Sequence, residues 1–304
     1  MEYVINQSGN RVVLDLLANA TKSLVGLAVN NCRIISIPYS ELYAMVLSVY
    51  GVKGEWVFCR EAFKYRTTPL SDAEDDSVIV LESVEVEGFR DTIASDYTIL
   101  EALKLYQSSD IFSCYSLSYR FKDGKIQHGG GGETFLWQHG TYWPEKPYEI
   151  TDDARSNFNA WLNEHRDLFH SGHHNAKFRQ MKHLYLSSYL TDDANLSFVM
   201  LSVVLEMLFG GNNELSYRIS RGAGMFLSTD REEARSLFAH MKKLYDMRSK
   251  YVHEGKRVKD EQLFELREIV RCVIVLMFER GMHKPDFDFK KFSDELTYDG
   301  YPQS

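Results

Sequence analysis

The chain has 304 residues, of which 44% are hydrophobic and 26% are charged, which is the composition of an ordinary folded globular protein. Its 35 Lys and Arg residues are outnumbered by 43 Asp and Glu residues, and the formal charge of −8 excludes an overall cationic surface for nucleic acid. Any nucleic-acid contact must therefore be confined to a local basic patch.

The cysteines and the apolar segments predict a cytoplasmic protein. The four cysteines lie far apart and form no Cys-x-x-Cys pair, which argues against a disulfide framework and against a thiolate zinc site. No apolar run reaches the roughly 18 residues that a membrane span needs, and residues 1–10 do not have the pattern of a signal peptide. We therefore expect neither secretion nor membrane insertion.

Charge and periodicity both change near residue 150. Residues 1–150 carry a formal charge of −7, whereas residues 151–304 carry only −1. The first half has one helical stretch at 98–106, and Asp123-Gly124 predicts a hairpin turn. Short β-like runs occur at 32–37, 55–59 and 77–81. We predict a mixed α/β domain over residues 1–150, whose role the sequence does not reveal.

From residue 151 the apolar residues recur at helical spacing. Predicted helices cover 151–169, 176–190, 195–209, 214–227, 230–253 and 260–280. The third of these has almost no polar face and should be the centre of a bundle, and the fifth opens with the capping-box pattern of Thr229 and Glu232. The second predicted domain, residues 151–304, is thus an all-α bundle, and the predicted fold class of the whole chain is α+β.

A histidine cluster lies between the first two of these helices. His170, His173 and His174 surround the short turn Ser171-Gly172, and no run of cysteine or carboxylate ligands lies nearby. The pattern favours a solvated turn, with metal binding as the alternative.

Arg248 interrupts an apolar stripe on the fifth helix. The stripe contains Leu237, Met241 and Leu244, and at helical spacing it continues through position 248 to Val252. A guanidinium group does not lose its charge, so it needs either a partner or a wet cleft at this position.

His253 follows Arg248 by five residues on the same helix. The two side chains diverge by roughly 140° and are about 7.5 Å apart along the helix axis. They cannot face one point from a single helix. Two copies of the helix that cross at a dimer axis would bring the Arg of each chain to the His of the other.

Three ordered patterns in this half resemble the HEPN superfamily of helical-bundle ribonucleases, and most closely its ApeA-like group. Residues Arg248 to His253 have the form Arg-x4-His near the end of the penultimate long helix. The other two patterns are Leu205-Glu206 in the central helix and Glu214-Leu-Ser-Tyr-Arg218 at the start of the next. The resemblance covers residues 151–282.

The resemblance implies cleavage of RNA without a metal or another cofactor, in a homodimer whose paired motifs form one site, often in phage defence or toxin systems. Arg248 and His253 would be the catalytic residues, and DNA would not be cleaved. Many members of the family carry Asn, Asp or His after the motif Arg, whereas this chain has Ser249, which can still hydrogen-bond a phosphate or the Arg.

Two interpretations of these residues stay open: the catalytic role that the resemblance implies, and a purely structural role. In the structural interpretation, Arg248 pairs with Glu206 across the bundle and His253 is a polar residue at a helix end. Glu206 is alone in an apolar helix and is expected to pair with Arg218 or Arg248 in support of the site, not to act as an acid. The end of the motif helix is also basic, and Lys250, Lys256 and Arg257 are the candidate RNA-binding residues.

Overall fold

The computed structural model of the protein describes residues 11–29, 32–50, 77–85, 93–108, 111–122, 125–128, 148–169, 171–191, 193–211 and 214–298. These residues divide between two compact units: those up to Glu164 belong to the first unit and those from His165 onward to the second. The first unit is built on a β-sheet and the second on α-helices, so the predicted α+β fold class is confirmed.

The sheet of the first unit is antiparallel at every described pair of neighbouring strands. Its strands are β1 (Arg11–Ala18), β2 (Ala28–Val29), β3 (Cys32–Pro38), β4 (Ser77–Glu85), β5 (Phe112–Lys122) and β6 (Lys125–His128), in the spatial order β2-β3-β4-β1-β5-β6. Lys122 pairs with Lys125 across β5 and β6, which confirms the predicted hairpin. The strand predicted at 55–59 lies outside the described residues.

Both faces of strand β4, near the middle of the sheet, are covered. Residues 78–83 of β4 are all buried, and because successive side chains of a strand point to opposite faces, both faces of β4 are covered. Helix α1 (Tyr39–Tyr50) places Leu42 and Met45 in a core cluster with alternate residues of β1, β4 and β5. Helix α2 (Ile93–Tyr106) packs against β3 and β4.

Helix α3 (Asp152–Glu164) belongs to the first unit, although the sequence pattern places it in the bundle. The Arg155 guanidinium donates a hydrogen bond to the carbonyl of Ser23 (3.3 Å), and the Tyr106 hydroxyl donates one to the carbonyl of Ala154 (2.8 Å). These contacts attach α3 to elements of the sheet unit. The division of the chain therefore comes one helix later than residue 150.

The second unit contains the remaining helices. They are α4 (Arg166–Phe169), a 3₁₀ turn (Ser171–His173), α5 (Ala176–Ser187), α6 (Ala194–Phe209), α7 (Leu215–Leu227), α8 (Arg231–Glu254), α9 (Asp260–Glu279) and α10 (Phe289–Tyr298). The apolar helix α6 contacts α5, α7, α8, α9 and α10, as expected for the centre of a bundle. None of the described helices is long and apolar enough to cross a membrane.

The cap of α8 differs by one residue from the predicted capping box. Asp230 is the N-cap, and its Oδ1 accepts hydrogen bonds from the backbone N–H groups of Glu232 (2.8 Å) and Glu233 (2.9 Å). Thr229 instead donates its backbone N–H to the Glu233 carboxylate (2.8 Å). A charged carboxylate at the N-cap satisfies the free N–H groups and also complements the positive end of the helix dipole.

His174 is buried, so the prediction of a solvated turn is wrong at this residue. Only 5% of His174 is exposed, whereas His173 is exposed and His170 lies outside the described residues. The His174 ring packs edge-on against Phe178 and His283, with ring centroids 5.2 Å and 5.3 Å away. Its Nε2 lies 2.7 Å from the Asp167 carbonyl oxygen and so carries the proton, which leaves Nδ1 buried without a partner in the described structure.

Asn175 explains why His174 is buried. Its side-chain oxygen caps α5 by accepting the N–H of Phe178 (2.8 Å), and its amide nitrogen donates to the carbonyls of Met282 (2.7 Å) and Lys284 (3.0 Å). The segment after α9 is thereby held over His174. The sequence pattern gives no sign of this long-range contact.

We predict that the protein loses stability as the pH falls from about 7.5 to about 5.5. Burial lowers the pKa of His174, and burial also lowers that of His283. Both residues therefore bind fewer protons in the folded than in the unfolded chain, where the pKa of histidine is about 6.5. The stabilisation is complete above that pH and is lost as the pH falls below it.

Thermal melting at a series of pH values measures this effect. His174→Gln keeps a donor for the Asp167 carbonyl but does not titrate, so its melting temperature should fall less with pH than that of the wild type. His173→Gln, at an exposed position, is the matched control and should follow the wild type. Equal pH dependence in all three proteins would contradict the assignment.

Candidate functional site

Arg248 lies where α8 leaves the core of the bundle. Along the apolar stripe, Met241 and Leu244 are 1% and 3% exposed, whereas Val252 is 48% exposed. Arg248 lies on this stripe between Leu244 and Val252, and its side chain is 24% exposed. A permanently charged residue is tolerated at this apolar phase because the helix emerges into solvent there.

Glu206 holds Arg248 in place. Its Oε1 accepts a hydrogen bond from the Tyr245 hydroxyl (2.8 Å) and forms an ion pair with Nη2 of Arg248 (3.1 Å). Tyr245 and Arg248 are three residues apart on α8, so their side chains lie on the same face and reach one carboxylate of α6. The Arg248 guanidinium also lies 5.8 Å from the centroid of the Tyr245 ring.

The Tyr245 hydroxyl serves this network as a permanent donor. Burial raises the pKa of Tyr245, and its hydrogen bond to the negative Glu206 carboxylate raises it further. The hydroxyl therefore keeps its proton over the whole physiological pH range, and its bond to Glu206 persists.

Part of the Arg248 guanidinium is not used by the network. Its Nη2 contacts Glu206, while its Nε is buried and has no partner among the described residues. Nε therefore does not reach an external anion, and the donors that can hydrogen-bond one are those of the terminal nitrogens of the partly exposed guanidinium. Arg248 is thus a positioned cation with remaining donor capacity.

His253 lies in the last turn of α8 and is exposed. The helix ends at Gly255 in the left-handed conformation (φ 68°), whose N–H donates to the Tyr251 carbonyl (3.0 Å). Within one chain the structure brings Arg248 together with Glu206 and Tyr245, and His253 stands apart from this network. This agrees with the divergence expected for two residues five positions apart on a helix.

The predicted RNA-binding residues follow the same helix end. Lys250 and Arg257 are exposed, as is Ser249, but Lys256 forms an ion pair with Glu254 (2.7 Å). The hydrogen bond from Lys256 lowers the pKa of Glu254. The positive charge of Lys256 is therefore partly offset, and Lys250 and Arg257 supply the basic surface of this patch.

The loop after α8 is anchored to the other end of α6. The backbone N–H of Val258 donates to Oδ1 of Asn195 (2.8 Å), and the Val258 side chain is buried. This contact fixes the course of the loop that carries Lys256 and Arg257.

The sequence pattern does not predict the contacts of two residues near Glu206, Tyr245 and Arg218. Tyr245 appears there only as a residue that widens the apolar face, and its spacing of three from Arg248 is the one signal of a shared partner. Arg218 is one of two candidate partners of Glu206 in the sequence, but Glu206 pairs with Arg248 instead. Arg218 packs against Gly211, and its Nε is buried without a partner in the described part of the chain.

The described residues contain no group of three or more His, Cys, Asp and Glu side chains that could hold a metal ion. Comparison of the chain with models of known protein families, with characterised proteins and with solved structures gives no match. The assignment of a function therefore depends on the residues and contacts described above.

We predict a measurable energetic coupling between Glu206 and Arg248. In a double-mutant cycle with Glu206→Gln and Arg248→Met, the coupling free energy of unfolding should be about 1 kcal/mol, because the two side chains form an ion pair at 3.1 Å and are only 21% and 24% exposed. Urea unfolding of the four proteins measures it.

The exposed pair of Glu254 and Lys256 provides a control cycle on the same helix end. Solvent and salt screen such a pair, so no coupling should be detected there. Equal coupling in the two cycles would mean that the Glu206 network does not position Arg248.

Proposed function

We propose that this protein is a cytoplasmic, metal-independent endoribonuclease of HEPN type that cleaves RNA at a site composed of residues from two chains. The proposal depends chiefly on Arg248, whose guanidinium is paired with Glu206 at a partly exposed site next to Tyr245. His253 supports it, because an exposed imidazole lies at the end of the same helix.

The two histidines of a dimer would supply the acid and the base. A neutral imidazole of His253 removes the proton of a ribose 2′-OH, and the oxygen then attacks the adjacent phosphorus. The protonated imidazole of the other chain gives a proton to the leaving 5′-oxygen. The products are a 2′,3′-cyclic phosphate and a 5′-hydroxyl end, and DNA is not cleaved because it lacks the attacking hydroxyl.

Arg248 would stabilise the charge that develops on the phosphate. Its free donors hydrogen-bond the non-bridging oxygens, and these bonds strengthen as negative charge accumulates during the attack. Glu206 fixes the orientation of the guanidinium, so little rearrangement is needed at the moment of reaction. Ser249, exposed beside Arg248, can donate a further hydrogen bond to the phosphate.

A homodimer is required because one chain cannot aim both groups at one phosphate. The exposed Val252 lies next to His253 and gives the end of α8 an apolar contact for a second copy. Lys250 and Arg257 would extend the site along the RNA backbone. A role in phage defence or in a toxin system is the biological setting that we associate with this activity.

One observation favours a second candidate function. The Glu206 carboxylate offsets part of the positive charge of Arg248 within the same chain. A catalytically inactive HEPN module that binds RNA, a nucleotide or a partner protein would tolerate that arrangement more readily than an enzyme. The cleavage experiment distinguishes the two.

We predict that the purified protein cleaves RNA in the presence of EDTA and that His253→Ala lowers the rate by about 100-fold or more, since it removes the proton-transfer group. Arg248→Ala should lower the rate and also weaken RNA binding, because the guanidinium contacts the phosphate in both the ground and the transition state. Arg248→Lys should restore little, because an ammonium group lacks the planar fork.

Two variants on the same helix control for general effects. His240→Ala removes a partly exposed imidazole, and Arg235→Ala removes an exposed guanidinium, both distant from the end of α8. Both should cleave at the wild-type rate. Intact RNA after incubation with the wild type, or undiminished cleavage by His253→Ala, would refute the ribonuclease and leave the binding module.

We also predict a mass in solution of twice the chain mass of 35.2 kDa. Val252→Asp should shift the protein towards monomer and reduce cleavage in parallel, whereas Val252→Met should keep the dimer because it keeps an apolar side chain. Light scattering after size-exclusion chromatography measures both effects. A strict monomer at micromolar concentration that still cleaves RNA would exclude the composite site.

A further inference from the structure

Two guanidinium groups lie at the carboxyl-terminal end of α6. Arg248 reaches Glu206 in the last turn of α6, and Arg218, from the first turn of α7, packs against Gly211 just beyond that end. A Cβ added to Gly211 would lie 2.7 Å from Nε of Arg218, so glycine makes this close approach possible. Two helices thus each bring a cation to the same helix end.

Arg218 has no ion pair and no side-chain hydrogen bond with any other described residue. Its Nε is buried, whereas its terminal nitrogens are not among the buried atoms that lack a partner, and the residue as a whole is partly exposed. The negative end of the α6 dipole favours a cation at this place. The guanidinium nevertheless donates to none of the described carbonyls at this helix end.

An exposed aromatic ring precedes Arg218. Tyr217 is 51% exposed, and its ring meets Phe238 of α8 edge to face, with centroids 5.7 Å apart and planes at 73°. Phe238 therefore fixes the ring while much of the ring surface stays in solvent. A fixed, exposed aromatic ring beside an unpaired cation is a typical arrangement for binding unpaired bases and their phosphates.

We infer that the first turn of α7 binds a single-stranded segment of the substrate, with a phosphate on Arg218 and a base stacked on Tyr217. The inference rests on the proposed function for its choice of RNA as the natural substrate. An aromatic ring can stack only on a base that is not already stacked in a duplex, so this contact selects single strands. Neither contact involves the 2′-OH, so single-stranded DNA binds the same turn without being cleaved.

The test uses single-stranded DNA of about 12 nucleotides as an uncleavable probe, and fluorescence anisotropy gives its Kd over a range of salt concentrations. Arg218→Gln should raise the Kd about tenfold and reduce the slope of log K against log salt by about 0.7, because it removes one phosphate contact. Tyr217→Ala should raise the Kd about fivefold or more, and Tyr217→Phe should have no effect, because a Phe ring stacks as well. The same sequence as a duplex should bind more weakly.

Arg231→Gln is the matched control. It removes an equal charge at an exposed position at the opposite end of α8, about 26 Å from Arg248 along the helix axis, and should change the Kd less than twofold. Equal effects of Arg218→Gln and Arg231→Gln would overturn the inference, as would the absence of binding by the wild type. Thermal melting separates binding from folding: Arg218→Gln should remain folded at the assay temperature, so that its higher Kd reflects the lost phosphate contact and not unfolding.

The outcome is independent of the cleavage assay. Binding of the probe that depends on Arg218 and Tyr217, together with intact RNA, would support the inference while refuting the ribonuclease. If the wild type cleaves RNA but Arg218→Gln and Tyr217→Ala bind the probe as tightly as the wild type, the ribonuclease is supported and the inference is refuted.

Discussion

The carboxylate of Glu206 is the group on which the arrangement of the candidate site depends. It is the acidic residue of the mostly apolar central helix. One of its oxygens accepts a hydrogen bond from the Tyr245 hydroxyl and forms an ion pair with the Arg248 guanidinium. An unpaired charge at the edge of a bundle core would be costly on either helix. The pairing therefore fixes the orientation of Arg248 and the contact between α6 and α8 at the same time.

The place where α8 leaves the core separates the roles of its residues. Before Arg248 the stripe packs in the bundle, and after it Val252 and His253 are exposed. A positioned cation and an exposed imidazole thus lie on one helix, within about 7.5 Å along its axis but on different faces. This constraint makes a second copy of the chain necessary for the proposed chemistry.

An acidic protein can bind RNA only through local surfaces, and three of the second unit's described cations lie at the ends of two helices. Arg218 begins α7, and Lys250 and Arg257 lie at the end of α8. Lys256 contributes less, because Glu254 is its partner. The arrangement favours a short contact with a single strand over a long track along a duplex.

The sequence by itself determined the class of the fold, the extent of most helices, the hairpin of β5 and β6, and the anomaly at Arg248. These features depend on local periodicity, on capping residues and on turn chemistry, which act over a few residues. The choice of Glu206 between Arg218 and Arg248, the burial of His174 and the attachment of α3 to the sheet unit were decided only by the tertiary structure. Each depends on a partner distant in sequence: Tyr245 lies 39 residues from Glu206, and Asn175 reaches the Met282 carbonyl 107 residues away. Periodicity carries no information about such pairs, because hydrogen bonds between distant segments form only once packing has brought them together.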